Sequence, residues 1–268
     1  MTAAAPSRAT AGTASPWLPF PPPGGRLRLY CLPHAGGSAS AFRPWFGRLA
    51  GVSVRPVQPP GRETRLRETP YVRMTEFVDD LSDALLDELA TDQGPYAVYG
   101  HSLGAWVAFE LVRAIRRRGG PDPAHLVVSG AAAPDHPAYD DGPPVGGMTD
   151  AQVVALLRRI GGTPEWMLAD PSVLRMILPP FRADFAVKES YRYLPEQALD
   201  VPITALAATG DLRAGIGSMD GWRRQTTRAF RSRTLVGGHF AVLEQADLTL
   251  RYLGEALRSA VPAELDAA

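Results

Sequence analysis

The sequence predicts an α/β fold with a mostly parallel central sheet and helices on both faces. Three observations predict it. Short, continuously apolar segments alternate with longer amphipathic ones. The pentapeptide GHSLG (100–104) joins one apolar segment directly to the next helix, and the alternation stops at about residues 134–195, where only helical patterns remain.

Taken in order, RLRLYCLP (26–33) reads as a strand, SASAFRPWFGRLA (38–50) as a helix and VSVRPV (52–57) as a short strand entering the loop QPPGRETRLRE (58–68). MTEFVDDLSDALLDELA (74–90) is helical, because Phe77, Leu81, Leu85 and Leu89 fall four apart on one face. YAVYG (96–100) is a buried strand, and AWVAFELVRAIRRRGG (105–120) is a helix that Gly119 is placed to stop. HLVVSGA (125–131) is a further buried strand. MTDAQVVALLRRIGG (148–162) and PSVLRMILPPFRADFAVKESYRYL (171–194) read as the helical pieces of an insertion. Strands resume with PITALAATGD (202–211) and RSRTLVGGH (231–239), and LTLRYLGEALRSA (248–260) is the last helix.

Length and composition bound the function. The chain has 268 residues, room for one large α/β domain or two small ones, and 45% hydrophobic with 21% charged residues is ordinary for a soluble globular protein. Twenty-eight basic residues balance 28 acidic ones, which argues against a nucleic-acid partner. The single cysteine, Cys31, excludes an internal disulfide framework and a cysteine-based metal site, and its apolar surroundings predict a buried thiol. No segment has the length of a signal-peptide core or a membrane span, so a cytoplasmic protein without a membrane partner is expected. Residues 1–25 are expected to be a disordered tail and lead-in, 26–260 one domain, and 261–268 a second disordered tail.

GHSLG lies between a strand and a helix, the setting of a nucleophile elbow, with Ser102 at the C-terminal edge of the sheet. Gly100 and Gly104 suit the close approach of strand and helix. A serine that merely caps the helix would also fit this place. A nucleophilic hydroxyl needs a base. Of the five histidines, His125 begins a strand, His136 lies in a loop, and His101 should point away from Ser102. His239, in GGHF after the last strand, stands at the same sheet edge, where the pair Gly237-Gly238 permits a sharp turn. Asp211 ends the strand PITALAATGD and supplies the acid that fixes the imidazole tautomer. The order Ser102, Asp211, His239 is that of an α/β-hydrolase. For the oxyanion, the backbone N–H of Leu103 and that of Ala35, in LPHAGGSASAF, are the candidate donors. Gly36 and Gly37 let that loop approach closely, and His34 is read as shaping it rather than as a base.

Together, LPHAGGSASAF, VQPPGRETRLRE, GHSLGAWVAFELVR, LVVSGAAAP, FRADFAVKESYRY and GGHF resemble the type II thioesterases of polyketide and nonribosomal peptide biosynthesis. The resemblance runs from about residue 26 to 254, and PHAGG, PGRETR and RADF are its more specific motifs. It implies an α/β-hydrolase fold in which Ser102, Asp211 and His239 form the triad and the insertion is a lid. It further implies a monomer that needs no metal or cofactor. Its partners would be acyl or peptidyl carrier proteins, whose phosphopantetheine arm presents the acyl thioester to be hydrolysed. Two positions depart from the family pattern: Ala131 to Ala133 stand where many relatives carry basic residues, and Leu212 follows Asp211 in place of a proline. Asp184, within RADF, is read as lid scaffolding, and Arg62, Arg65 and Arg67 as exposed docking points for an acidic carrier. Arg116 to Arg118 are read as a solvated helix end far from the site. A general carboxylesterase, an acyl-releasing or cyclising thioesterase, and a catalytically silent binding module remain the alternatives.

Overall fold

The computed structural model describes residues 15–21, 24–136 and 144–261. The expected tails up to residue 14 and from 262 onward lie outside the described residues, as does 137–143 of the insertion.

Six strands form one sheet: β1 (Leu27–Leu32), β2 (Val52–Pro56), β3 (Tyr96–His101), β4 (His125–Ser129), β5 (Ile203–Ala208) and β6 (Phe230–Leu235). Their spatial order is β2-β1-β3-β4-β5-β6, and every pairing is parallel. Alternation along β1 shows why both faces must be covered. Leu27, Leu29 and Cys31 join one apolar cluster, while Tyr30 and Leu32 join the other. The connections run in opposite senses on the two sides of β1, so the chain opens a crevice beyond the C-terminal ends of β1 and β3.

Helices α1 (Met74–Thr91) and α2 (Leu103–Arg117) cover one face through Phe77, Leu81, Leu85, Leu89, Val107, Leu111 and Ile115. The insertion holds α3 (Asp150–Ile160), α4 (Glu165–Ala169) and α5 (Pro171–Ser190), with no strand among the described residues between β4 and β5. Local chemistry starts these helices. Thr149 and Gln152 form a capping box on α3, and Asp170 caps α5 with Pro171 in its first turn. The insertion has an apolar cluster of its own, including Val153, Leu157, Phe181 and Phe185, packed against Ala35. Two short helices follow, α6 (Ile216–Met219) and α7 (Ala241–Glu244), and α8 (Ala246–Leu257) covers the second face.

Two expectations change. The helix expected over 38–50 is a seven-residue 3-10 helix, Ala39–Trp45, because Pro44 withholds a donor and Gly47, at φ 69°, turns the chain. Packing also begins before residue 26. Trp17 is buried, stacks on Tyr71 and Phe77, and its carbonyl accepts from Gln58 N–H at 2.8 Å. Cys31 is buried, and burial pushes its thiol pKa well up. No helix among the described residues is long and apolar enough to cross a membrane.

Candidate active site

Ser102 sits between β3 and α2 at φ 56°, ψ −120°, one of two non-glycine residues with positive φ among those described. That backbone is strained for any residue with a Cβ. The flanking glycines make it possible. A Cβ on Gly100 would lie 2.1 Å from the carbonyl oxygen of Gly104, and one on Gly104 would lie 2.3 Å from that of Leu32. Ser102 N–H donates to Ser129 O at 2.8 Å, tying the turn to β4. Although Ser102 occupies the N-cap position of α2, its side chain makes no capping bond. Its Oγ lies 3.0 Å from His239 Nε2 instead.

His239 and Asp211 are brought to this point by joined turns. Gly210 N–H donates to Gly237 O at 2.7 Å, so the loops after β5 and β6 hold each other, and Gly237 takes a φ of 137° that only glycine adopts readily. His239 Nδ1 then meets Asp211 Oδ2 at 2.8 Å. The other carboxylate oxygen, Oδ1, accepts from the N–H groups of Arg213 (2.9 Å) and Ala214 (3.2 Å). Burial works against the Asp211 carboxylate, but the hydrogen bond and charge of His239 and the two amides prevail, holding its pKa below the ordinary value. Leu212, next to Asp211, is exposed and does not disturb these bonds.

The two candidate oxyanion donors border the same space as Ser102. Leu103 N–H is the first of α2 and has no intrahelical acceptor. In the loop after β1, Gly36 N–H donates to Asp184 Oδ2 (2.7 Å) and Gly37 N–H to His34 O (2.8 Å). Ala35 N–H is used in no hydrogen bond among the described residues. His34 lies under the turn, where a Cβ on Gly37 would come within 2.9 Å of its ring. Burial, with the charges of His239 and Arg62, lowers the His34 pKa to about 3. His101 points away from Ser102 toward β4, with Nδ1 3.0 Å from Ser129 Oγ. Burial and the neighbouring His239 and His34 hold it well below the usual histidine range. Both rings are therefore neutral at pH 7.

A cavity of about 860 Å³ opens over these residues, between the sheet edge and the insertion. Its walls include Trp106, Leu157, Met167, Ile177, Phe181 and Phe185, a mainly apolar channel that Arg159, Lys188 and Arg213 also line, with the Ser102–His239 pair on its floor. A thioesterase-domain family model matches residues 27–257 of the chain.

The chain belongs to the thioesterase family.

Among relatives, it is 36% identical over 234 residues to the gramicidin S biosynthesis protein GrsT of Aneurinibacillus migulanus, spanning 87% of this chain and 90% of that one. Among solved structures, it is similar to RedJ, a thioesterase from the prodiginine biosynthetic pathway in Streptomyces coelicolor. That match has a TM-score of 0.81 at 38% identity over 96% of this chain and 98% of the other. It is also similar to BorB, a type II thioesterase from the borrelidin biosynthetic cluster, with a TM-score of 0.77 at 37% identity over 87% and 93% of the two chains.

Within this thioesterase, several side chains have places that their sequence positions do not reveal. Arg62 and Arg65, read from the sequence as exposed docking points, are both buried. Arg62 forms a two-pronged pair with Asp184, Nη1 to Oδ2 at 2.5 Å and Nη2 to Oδ1 at 2.8 Å. Arg65 pairs with Glu68 at 2.6 Å and lies over the Trp17 ring. Of that cluster only Arg67 is exposed. At the end of α2, Arg116 and Arg117 pair with Glu196, and Arg118 with Asp79. Ala131 and Ala132 line the cavity, and their carbonyls accept from the indoles of Trp222 (2.8 Å) and Trp106 (2.9 Å). Phe240, beside His239, sets its ring edgewise against those of His34 and His101. Its only sequence signal is its place in GGHF.

Proposed function

We propose that this thioesterase hydrolyses aberrant or stalled acyl groups from the phosphopantetheine arms of carrier proteins in polyketide or nonribosomal peptide synthesis, with Ser102, His239 and Asp211 as its triad. One observation carries the reading: the unbroken hydrogen-bond chain Asp211 Oδ2–His239 Nδ1 and His239 Nε2–Ser102 Oγ, at 2.8 and 3.0 Å, on the floor of a mainly apolar cavity. The names of GrsT, RedJ and BorB supply the biosynthetic setting.

In this mechanism His239 Nε2 accepts the Ser102 proton as Oγ attacks the thioester carbonyl, and Asp211 holds the imidazole in the tautomer with its proton on Nδ1. The tetrahedral oxyanion is received by Leu103 and Ala35 N–H. Collapse breaks the C–S bond. The pantetheine thiol leaves with the proton from His239, and the acyl group remains on Ser102 as an ester. A thiol of pKa about 8.5 leaves far more easily than an alcohol, so this step asks little of the imidazolium. Water, deprotonated by His239, then attacks the ester, releasing the carboxylic acid and restoring Ser102. The apolar walls accept acyl chains, and the cavity volume accommodates an acyl group together with the end of the arm.

Mass spectrometry of a panel of carrier proteins loaded with short, branched and extended acyl groups, with and without the enzyme, tests this reading. Loss of the acyl mass with retention of the pantetheine arm is expected. Acyl groups that stay on every carrier while matched oxyesters are cleaved would replace the proposal by a carboxylesterase.

A further inference from the structure

The three motifs that distinguish this sequence from other hydrolases, PHAGG, PGRETR and RADF, meet at one point. Arg62 and Asp184 form their two-pronged ion pair with side chains only 7% and 5% exposed. A buried pair of this kind adds little to stability over well-packed apolar residues. Arg62 Nε donates to Pro60 O at 3.2 Å within its own loop, and the pair's other free groups reach the loop that carries Ala35. Asp184 Oδ2 accepts from Gly36 N–H at 2.7 Å, and Arg62 Nη1 donates to Gly37 O at 3.0 Å. Gly37 N–H in turn closes the turn onto His34 O at 2.8 Å. The His34 carbonyl and the Ala35 N–H belong to the same planar peptide unit, so fixing the first aims the second. Phe181, almost one turn before Asp184 on α5, supports the same loop. A Cβ on Gly36, which has φ 76°, would lie 3.1 Å from its ring.

From this geometry we infer that Arg62 and Asp184 are positioning residues for the reaction: they aim the Ala35 N–H at the oxyanion. The inference rests on the role proposed above for Ser102 and Ala35. It makes the oxyanion site depend on α5 staying docked, since one of the two clamping side chains comes from the insertion.

An alkyl trifluoromethyl ketone, attacked by Ser102 to give a tetrahedral oxyanion, separates positioning from packing when compared with the alcohol of the same chain, which forms none. Asp184→Asn keeps the shape but leaves one acceptor oxygen for three donors, Gly36 N–H and the Nη1 and Nη2 groups of Arg62. It is expected to weaken ketone inhibition by at least about tenfold, as a misplaced oxyanion donor should. Alcohol binding should change less than about twofold, and kcat should fall with KM nearly unchanged. Arg62→Lys, which can reach only part of this network, should act in the same direction and provides the second test if Asp184→Asn does not fold. Arg113→Met is the control. It removes a buried arginine paired with Glu110 and Glu196 on the distal part of α2, and should lower Tm without altering the ketone-to-alcohol ratio. Ketone and alcohol affinities that fall together, or that both hold while Tm drops, would make Arg62–Asp184 merely structural. A wild-type enzyme with no preference for ketone over alcohol would instead remove the Ser102 reading, and this inference with it.

Discussion

Gly162, in the insertion, and Phe240, beside His239, are packed so closely that a Cβ on the glycine would lie 2.5 Å from the phenylalanine ring. Gly162 also has a φ of 79°, which favours glycine on its own account. The Phe240 ring stands 4.8 Å from that of His34 and 5.2 Å from that of His239, so it wedges the insertion against the histidine loop. Gly162→Ala should therefore displace Phe240 and disturb His239, costing about 1–3 kcal/mol of stability through overpacking together with a several-fold fall in kcat. Phe240→Leu in the same chain should recover part of the loss by making room. Steady-state kinetics on the two variants and their combination check this, and a double variant no better than Gly162→Ala would break the link.

The two amides on Asp211 Oδ1 decide what happens in Asp211→Asn. They keep the amide oxygen on their side, so the new NH₂ faces His239 Nδ1 and drives the ring proton onto Nε2, toward Ser102. The histidine is then in the wrong tautomer to act as a base, and kcat should fall by about 10⁴ with little change in substrate affinity. A loss under tenfold, measured on an acyl-pantetheine thioester, would show that another group orients His239.

The backbone at the elbow has no slack. In Gly100→Ala the new Cβ would overlap the Gly104 carbonyl at 2.1 Å, a contact with backbone that no side-chain rotation relieves. The variant should lose about 3 kcal/mol or more of stability and most soluble expression. Gly119→Ala is the comparison. There a Cβ meets nothing within 4 Å, and only its φ of 73° resists, so the cost should be about 1 kcal/mol. Urea unfolding of the two variants measures the difference.

Acid should weaken the fold earlier than its carboxylates would. His34 and His101 take up protons near pH 6.5 in the unfolded chain, but the folded protein keeps His34 neutral down to about pH 3 and holds His101 well below its ordinary value. Between those limits the unfolded state binds more protons, so stability falls as pH drops below 6.5, by about 1.4 kcal/mol per pH unit for each histidine. Asp211, with a lowered pKa, acts in the other window: its contribution is complete above the ordinary carboxylate range and is lost only as pH falls through its depressed value. Urea midpoints at pH 7.5, 6 and 5 should fall steadily, and His34→Gln should flatten the slope. Equal midpoints at all three values would contradict the assignment.

Much of this site was legible because its parts are local. GHSLG lies between a strand and a helix, and Asp211 and His239 each follow a strand, so pattern and chain order were enough to bring the three together. Arg62 and Asp184 were not legible as partners, since 122 residues separate them and neither segment shows which side chain it faces. An arginine in a proline- and glycine-rich loop reads as exposed until its buried acceptor is known. That is why the expected docking cluster reduces to Arg67, with Arg62 clamping a loop and Arg65 lying over Trp17. The burial of Trp17 is hidden in the sequence for a related reason: a lone tryptophan in a proline-rich lead-in has no periodicity to announce burial, and only the stack with Tyr71 and Phe77 explains it.

In the mechanism proposed above, the acyl group passes through Ser102. Rapid quenching of the enzyme with an acyl-loaded carrier protein, followed by proteolysis and mass mapping, tests it most directly. A transient acyl mass is expected on the peptide containing Ser102, absent from Ser102→Ala, which should also lose essentially all thioester hydrolysis. Hydrolysis that continues at the wild-type rate in Ser102→Ala, or an acyl adduct on any other residue, would contradict it.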